Sequence, residues 1–241
     1  MDAVNIVVQA RMGSERLPGK MMLDLYGEPI IYRILTKLIQ CQLVSNVILA
    51  IPDDPLNDIL SHVGMRVRGV KVVRGSEQNL IERFQSAISK FPCKFVIRFP
   101  GDNVFPDPLQ IDQLIEFHKK QNPHGFSSNL ASVQKNNMID GIGGEIFSSD
   151  LLMGLSTGSA TQEQIEHLHL NFYDYKTGRA TNSLVKIDAP IPTPVLARPE
   201  FALDINTIHQ YPLIRDIYRN VCLDNEKYTT VDIVKYLDNR K

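Results

Sequence analysis

The sequence predicts an α/β fold, a mostly parallel central sheet with helices on both faces. Three observations predict it. Short apolar runs recur through the first hundred residues, separated by longer stretches with apolar residues at helical spacing. The first run, VNIVVQA, is nearly unbroken, as a strand covered on both faces should be. The strand–helix alternation is regular, which builds successive βαβ units and so parallel strands.

The elements follow in order. After the first strand, EPIIYRILTKLIQCQ carries Ile30, Ile31, Ile34, Leu35 and Leu38 along one helical face. NVILAI is the second strand. DPLNDILSHV is a short helix with Asp54 as cap and Pro55 in its first turn. VKVV is the third strand, and SEQNLIERFQSAISKF a helix opened by an imperfect capping box, Ser76 to Asn79. KFVIRF is the fourth strand. Beyond Gly101, DPLQIDQLIEFHKKQ reads as a helix, GFSSNLAS as a strand, and DGIGGEIFSSDLLMGL as a turn, strand and helix. TQEQIEHLHLNFYDY reads as helical and ATNSLVKIDAP as a strand. FALDI and NTIHQYPLIRDIYRNV repeat the strand-then-helix signature, with Pro212 bending or delaying the helix. No repeat or low-complexity linker divides the chain. One domain is expected, residues 1–107 serving one ligand and 108–241 a second.

Composition narrows the partners. A formal charge of −1 over 241 residues gives no bulk attraction to nucleic acid or an anionic membrane. The N-terminal apolar run is too short and interrupted for a signal peptide or membrane span. Cys41, Cys93 and Cys222 are widely spaced, without a CxxC pair, which fits a reducing cytoplasm rather than a disulfide or zinc scaffold.

The loop leaving the first strand, VQARMGSERLPGKMM, carries Arg11, Arg16 and Lys20 at the sheet edge where open α/β folds bind ligands. A Walker A loop needs four residues between its glycines and a hydroxyl after the lysine. Here five residues separate Gly13 from Gly19, and Met21 follows Lys20. A GxGxxG fingerprint is also absent. Two guanidinium forks and an ammonium still suit a triphosphate, with Gly13 and Gly19 allowing close approach and Pro18 limiting the loop's freedom. On spacing alone, a solvated loop fits as well. Asp102, in RFPGDN beyond the fourth strand, suits either a magnesium ligand or a turn cap.

The string QARMGSERLPGKMMLDLYGEPII resembles the opening signature of CTP-dependent cytidylyltransferases of the spore-coat-polysaccharide type. Related enzymes activating 3-deoxy-manno-octulosonate carry a similar Arg-x-x-Ser-x-Arg-Leu-Pro-Gly-Lys string. The resemblance continues through VVRGSEQNLIERF, VIRFPGDNVFPDPLQID, DGIGGEIF, IEH and FALDINTIHQYPLIRDIY, and so covers most of the chain. It implies the Rossmann-like nucleotide-diphospho-sugar transferase fold, CTP as substrate, and transfer of CMP to a small acceptor with loss of pyrophosphate. It implies Arg11, Arg16 and Lys20 as the catalytic cations, with Ser14 and Gly13 beside them. It pairs Asp102 with Asp204 on Mg²⁺, although DINT replaces the usual run after the second aspartate. A homodimer is a further implication.

Near the base the resemblance places main chain at Ala10 and the segment holding Arg74, Ser76 and Asn79; helix capping by Ser76 is the alternative. Arg98, a charge inside an apolar strand, reaches the nucleotide or pairs with a carboxylate. The acceptor candidates are Asp140, Gly141 and Glu145 in DGIGGEIF, and Glu166 and His167 in QIEHLH. His169, two residues on, aligns with His167 only on a strand, which disfavours a zinc pair. The Phe-Ser-Arg string of the octulosonate enzymes is missing, which points to another sugar acid or an activated metabolite. Two other functions compete: a nucleotide-sugar glycosyltransferase, weakened because Asn103 and Val104 follow Asp102 where Asp-x-Asp would stand, and a non-catalytic nucleotide-binding protein.

Overall fold

A computed structural model describes residues 2–131, 133 and 136–240. Its main sheet has the order β3–β2–β1–β4–β6–β5–β9. The strands are β1 (Val4–Gln9), β2 (Asn46–Pro52), β3 (Val70–Gly75), β4 (Phe95–Pro100), β5 (Phe126–Ser128), β6 (Glu145–Ser148) and β9 (Ile187–Asp188). β1 lies between β2 and β4, parallel to both, and β3 extends the parallel set. Only β6 runs against its neighbours β4 and β5. The mostly parallel sheet expected from the sequence is therefore present.

Alternation along β1 explains the two layers. Val4, Ile6 and Val8 join one apolar cluster with α1 (Ile30–Leu38), α2 (Asp58–Arg66) and α4 (Pro108–Gln121). Val7 faces the other cluster, with α3 (Leu80–Lys90) and the rings of Phe126, Phe147 and Phe172. Successive side chains of a strand point to opposite faces, so an unbroken apolar run needs cover on both. α7 (Tyr211–Ile217) and α8 (Thr230–Asn239) complete the first layer. Asp107 ties them in: its Oδ1 caps α4, and its Oδ2 accepts from Thr230 N and Oγ1 at 2.8 and 2.7 Å.

The second half departs from the expected elements. GFSSNLAS pairs only over Phe126–Ser128, and Ser132 lies outside the described residues. α5 (Ser149–Met153) follows β6 as expected. TQEQIEHLHLNFYDY is not one helix: α6 (Gln162–Glu166) stops at His167, a 3₁₀ turn covers Leu168–Asn171, and β7 (Tyr173–Asp174) then pairs with β8 (Arg179–Ala180) in a separate ribbon. α6 buries no side chain, so nothing holds a longer helix together. ATNSLVKIDAP contributes only β9. FALDI forms no strand; Ala202 and Asp204 make single bridges to Asp140 and Asn103. Pro212 sits in the first turn of α7, where its missing N–H costs nothing. In α3 the cap is Asn79, whose side chain accepts from Glu82 N, three residues later than the sequence suggested.

α4 carries one buried histidine that sets a pH limit. His118 is fully buried, its Nδ1 lies 2.9 Å from Ser127 Oγ, and its Nε2 has no partner among the described residues. Burial, aided by His124, pushes its pKa down to about 4 from 6.5. Above the unfolded value neither state binds the proton and stability is full. Between pH 6.5 and about 4 the unfolded chain takes up a proton that the folded one refuses, so stability falls with pH. The loss is expected to reach about 3 kcal/mol. Urea midpoints between pH 7 and 4.5 should fall less steeply in His118→Gln than in the parent. Equal slopes would remove His118 as the cause.

Candidate active site

A cavity of about 620 Å³ opens at the carboxyl ends of β1 and β4. Its wall includes Ala10, Arg11, Ser14, Arg16, Lys20, Asp102, Glu166 and His167. The loop after β1 is held there by local bonds. Met12 N donates to Asn57 Oδ1 at 2.9 Å, and Gly19 N closes back on Met12 O at 2.9 Å. Asn57 is itself gripped by Asp54, the cap of the turn before α2. Gly19 then takes φ 72°, which reverses the chain and sends Lys20 inward. Gly101 allows β1 and β4 to end close together, since a Cβ there would stand 2.3 Å from Gln9 O.

Lys20 is 9% exposed, and its Nζ donates to Asp102 Oδ2 and Ile205 O, each at 2.9 Å. Arg16 donates from Nη2 to Asn206 Oδ1. Arg16 and Lys20 therefore meet residues 205 and 206, far apart from them in sequence. The acids meet there too. Ile205 N donates to Asp102 O at 2.9 Å, and Asn103 and Asp204 form a bridge, so the two aspartates stand on adjoining backbones. Burial, then Asp140 and Asp102, push the Asp204 carboxyl up to about 6. Burial raises that of Asp140 as well, with Asp102 adding to it.

A buried carboxylate with others near it resists ionising, and a bound cation would relieve both effects. No group of three or more His, Cys, Asp and Glu among the described residues makes a metal cage. Magnesium does not need one: it is usually held by one or two carboxylates, with phosphate oxygens and water completing the shell. Asp102, on the cavity wall, and Asp204, on the adjoining backbone, have the oxygen donors that such an ion takes.

Several expected contacts have other uses. Arg74 binds Asp58, and Asp53 at 3.4 Å, on the outer side of β3, where acids at the start of α2 attract it. Ser76 Oγ accepts from Asn79 N at 3.0 Å, and Asn79 caps α3; neither lines the cavity. Arg98 and Glu145 stand opposite each other on β4 and β6 and form a buried pair at 2.8 Å. Glu145 is fully buried, and its other oxygen accepts from Tyr175 OH at 2.5 Å, so it presents no face to an acceptor. Burial works against the Arg98 charge, but Glu145 outweighs it and holds the Arg98 pKa above its usual value. Gly141 is a backbone requirement: at φ 88° its Cβ would meet Leu203 C at 2.4 Å. Asp140, expected on the acceptor side, lies beside Asp204 instead. Gly13 belongs to the loop but not to the wall.

From the sequence alone, Arg83 fits the surface of the helix after β3 as well as a place near the base. It lines the cavity with Glu77, Gln78 and Leu80, is 5% exposed, and its Nε and Nη1 have no partner among the described residues. Burial, then repulsion from Arg11, push its pKa down to about 10. A signal was present: Arg83 falls on the buried stripe of α3 with Leu80, Phe84 and Ala87. A cation on an apolar stripe calls for an anion or an acceptor edge. His167 and Glu166 line the cavity from the end of α6. Burial and Arg98 lower the His167 pKa.

Known proteins resemble this chain in sequence and in fold. The chain is 29% identical over 223 residues to the spore coat polysaccharide biosynthesis protein SpsF of Bacillus subtilis, covering 91% of this chain and 88% of that protein. A cytidylyltransferase from Leptospira borgpetersenii superposes with a TM-score of 0.86 at 24% identity, over 100% of this chain and 95% of that one. A CMP:2-keto-3-deoxy-manno-octonic acid synthetase complexed with CTP superposes with a TM-score of 0.62 at 18% identity, over 90% of this chain and 98% of that one. The cytidylyltransferase family model matches residues 5–187, which include the basic loop and Asp102. The chain belongs to the cytidylyltransferase family.

Proposed function

We propose that this enzyme transfers CMP from CTP to a sugar acid or a phosphorylated metabolite, releasing pyrophosphate, in the synthesis of surface polysaccharide or glycoconjugate. The observation that carries the reading is the meeting of Arg11, Arg16 and Lys20 with Asp102 around one cavity. The acceptor oxygen attacks the α-phosphorus in line, and the bond to the pyrophosphate breaks. Arg11 and Arg16 hold the phosphates as forks, and Lys20 meets the charge that develops on the leaving group. Ser14 and the main chain at Ala10 border the nucleotide. Asp102 and Asp204 would hold Mg²⁺, which would supply charge neutralisation and orientation of the phosphate oxygens. Arg83, which is buried, and the exposed Glu77 and Gln78 beside it offer polar groups to the nucleotide. Glu166 and His167 border the acceptor. With Asp204 on the nucleotide side, residues 108–241 serve both ligands.

The test is pyrophosphate release with each of the four nucleotides, Mg²⁺, and a panel of sugar acids and phosphorylated metabolites. Turnover is expected with CTP alone, and to vanish on chelation. A strict preference for GTP or UTP, or activity indifferent to chelator, would reject the reading.

Two further parts of the proposal concern the setting. No helix among the described residues is long and apolar enough to cross a membrane. Cys41 and Cys222 are buried free thiols and Cys93 a half-buried one, which supports work in a reducing cytoplasm. Leu184 and Ile191, which flank β9, are 93% and 94% exposed, and the proposed homodimer would cover them. Sedimentation at micromolar concentration should give twice the monomer mass, and Leu184→Glu with Ile191→Glu should halve it. A parent that sediments as a monomer would end the dimer proposal.

A further inference from the structure

Between Asp204 and α7 the chain makes a tight turn, and two side-chain amides stitch it. Gln210 Oε1 accepts from the backbone N–H of Asn206 at 2.7 Å and of Thr207 at 2.8 Å. The same side chain donates from Nε2 to Asp204 Oδ1 at 3.2 Å. Asn206 donates from Nδ2 to Asp204 Oδ2, and its Oδ1 accepts from Arg16 Nη2. Both oxygens of Asp204 are therefore held by amide donors. One of those amides also holds an arginine 190 positions earlier in the chain.

The arrangement needs amides at these places. An amide has a donor end and an acceptor end, so Asn206 can face a carboxylate and a guanidinium at once. Aspartate would offer only acceptors, and an apolar residue neither. The bonds also leave the site usable. Each carboxylate oxygen has a second lone pair for a cation, and Arg16 retains other N–H groups for phosphate. A donor bonded to a metal-binding carboxylate fixes the direction in which that carboxylate points. A guanidinium already held in place loses less freedom when it grips its ligand.

We propose that Asn206 and Gln210 are positioning residues. Gln210 sets the Asp204 carboxylate, and Asn206 joins that carboxylate to Arg16, so that the cation end and the triphosphate end of the site are set as one unit. The proposal rests on Asp204 being a metal ligand, as argued above.

The test separates the two ends by direct binding. Mn²⁺ is titrated into the protein with CTP present and followed by electron paramagnetic resonance; CTP binding is measured separately in chelator by calorimetry. Gln210→Ala is expected to weaken Mn²⁺ roughly 10- to 100-fold, the usual cost of losing a partner of a metal-binding carboxylate. Its CTP affinity in chelator should stay within about twofold of the parent, which also shows that the variant is folded. Asn206→Ala is expected to weaken Mn²⁺ to a similar degree and also to weaken CTP in chelator, roughly fivefold, because only Asn206 touches Arg16. Mn²⁺ affinities within twofold of the parent in both variants would overturn the proposal. Equal losses of metal-free CTP binding in both would overturn the division of labour. Asp204→Asn distinguishes the failures: if it keeps the parent's Mn²⁺ affinity, the ligand assignment falls and the positioning proposal with it. If it loses Mn²⁺ while the two amide variants do not, only the positioning proposal falls.

Discussion

Replacing Lys20 by Met is expected to lower turnover at saturating CTP by about a hundredfold, equivalent to about 3 kcal/mol of transition-state stabilisation. Methionine keeps the unbranched apolar stem of the side chain and removes only the ammonium. That ammonium is aimed by the protein: the turn at Gly19 sends it inward, and Asp102 and Ile205 hold it at 2.9 Å. A positioned cation spends no reorganisation when charge builds on the leaving pyrophosphate, which is why its loss falls mainly on kcat. Lys20→Arg should rescue little, because a fork does not replace a compact ammonium between those two oxygens. The folded state should lose less than the transition state does, since the Asp102 side chain is 29% exposed and water can replace part of the bond. Steady-state kinetics with a pyrophosphate readout checks this. Near-normal turnover in Lys20→Met would remove the residue from the mechanism.

Replacing Glu145 by Ala is expected to cost about 3–5 kcal/mol of folding stability, read as a lower urea midpoint. The change strands Arg98, 7% exposed, opposite an empty position in the sheet, and leaves Tyr175 OH without its acceptor. A buried ion pair is seldom worth much against apolar residues of the same volume, yet breaking it by halves is expensive. Arg98→Met with Glu145→Leu should therefore recover most of what Glu145→Ala loses. The double variant still removes the bond from Arg98 Nε to Gln9 Oε1, 2.9 Å long, and Gln9 lines the cavity. A stable protein with altered CTP affinity is the expected result. A Glu145→Ala protein as stable as its parent, or a double variant no better than the single one, would show that the pair is not held as described.

Where the sequence was readable, one segment carried both the structure and the chemistry. The basic loop is such a place. Its glycines, proline and cations lie within ten residues, so Arg11 to Lys20 could be assigned to the end of β1 before any contact was known. The first four strands were readable for a similar reason, because burial on both faces leaves an apolar run in the sequence itself. The second half was less so. α6 buries nothing and β7 to β9 are two residues each, so their sequences carry little periodicity.

The sequence by itself determined the layered α/β architecture, the ligand-binding end of the sheet and the positive wall of the cavity, because periodicity and loop chemistry are local properties. Only the tertiary structure decided which distant charges meet. Arg98 was ambiguous until β6 was seen to lie antiparallel beside β4 with Glu145 in register. Arg74 and Arg83 are both basic residues near the end of β3; one faces Asp53 and Asp58 outside, the other is buried in the cavity wall. Asp204 gains its place from single bridges in a segment that forms no strand. Pairing between charges depends on the path of the backbone through space, and sequence separation says nothing about that path.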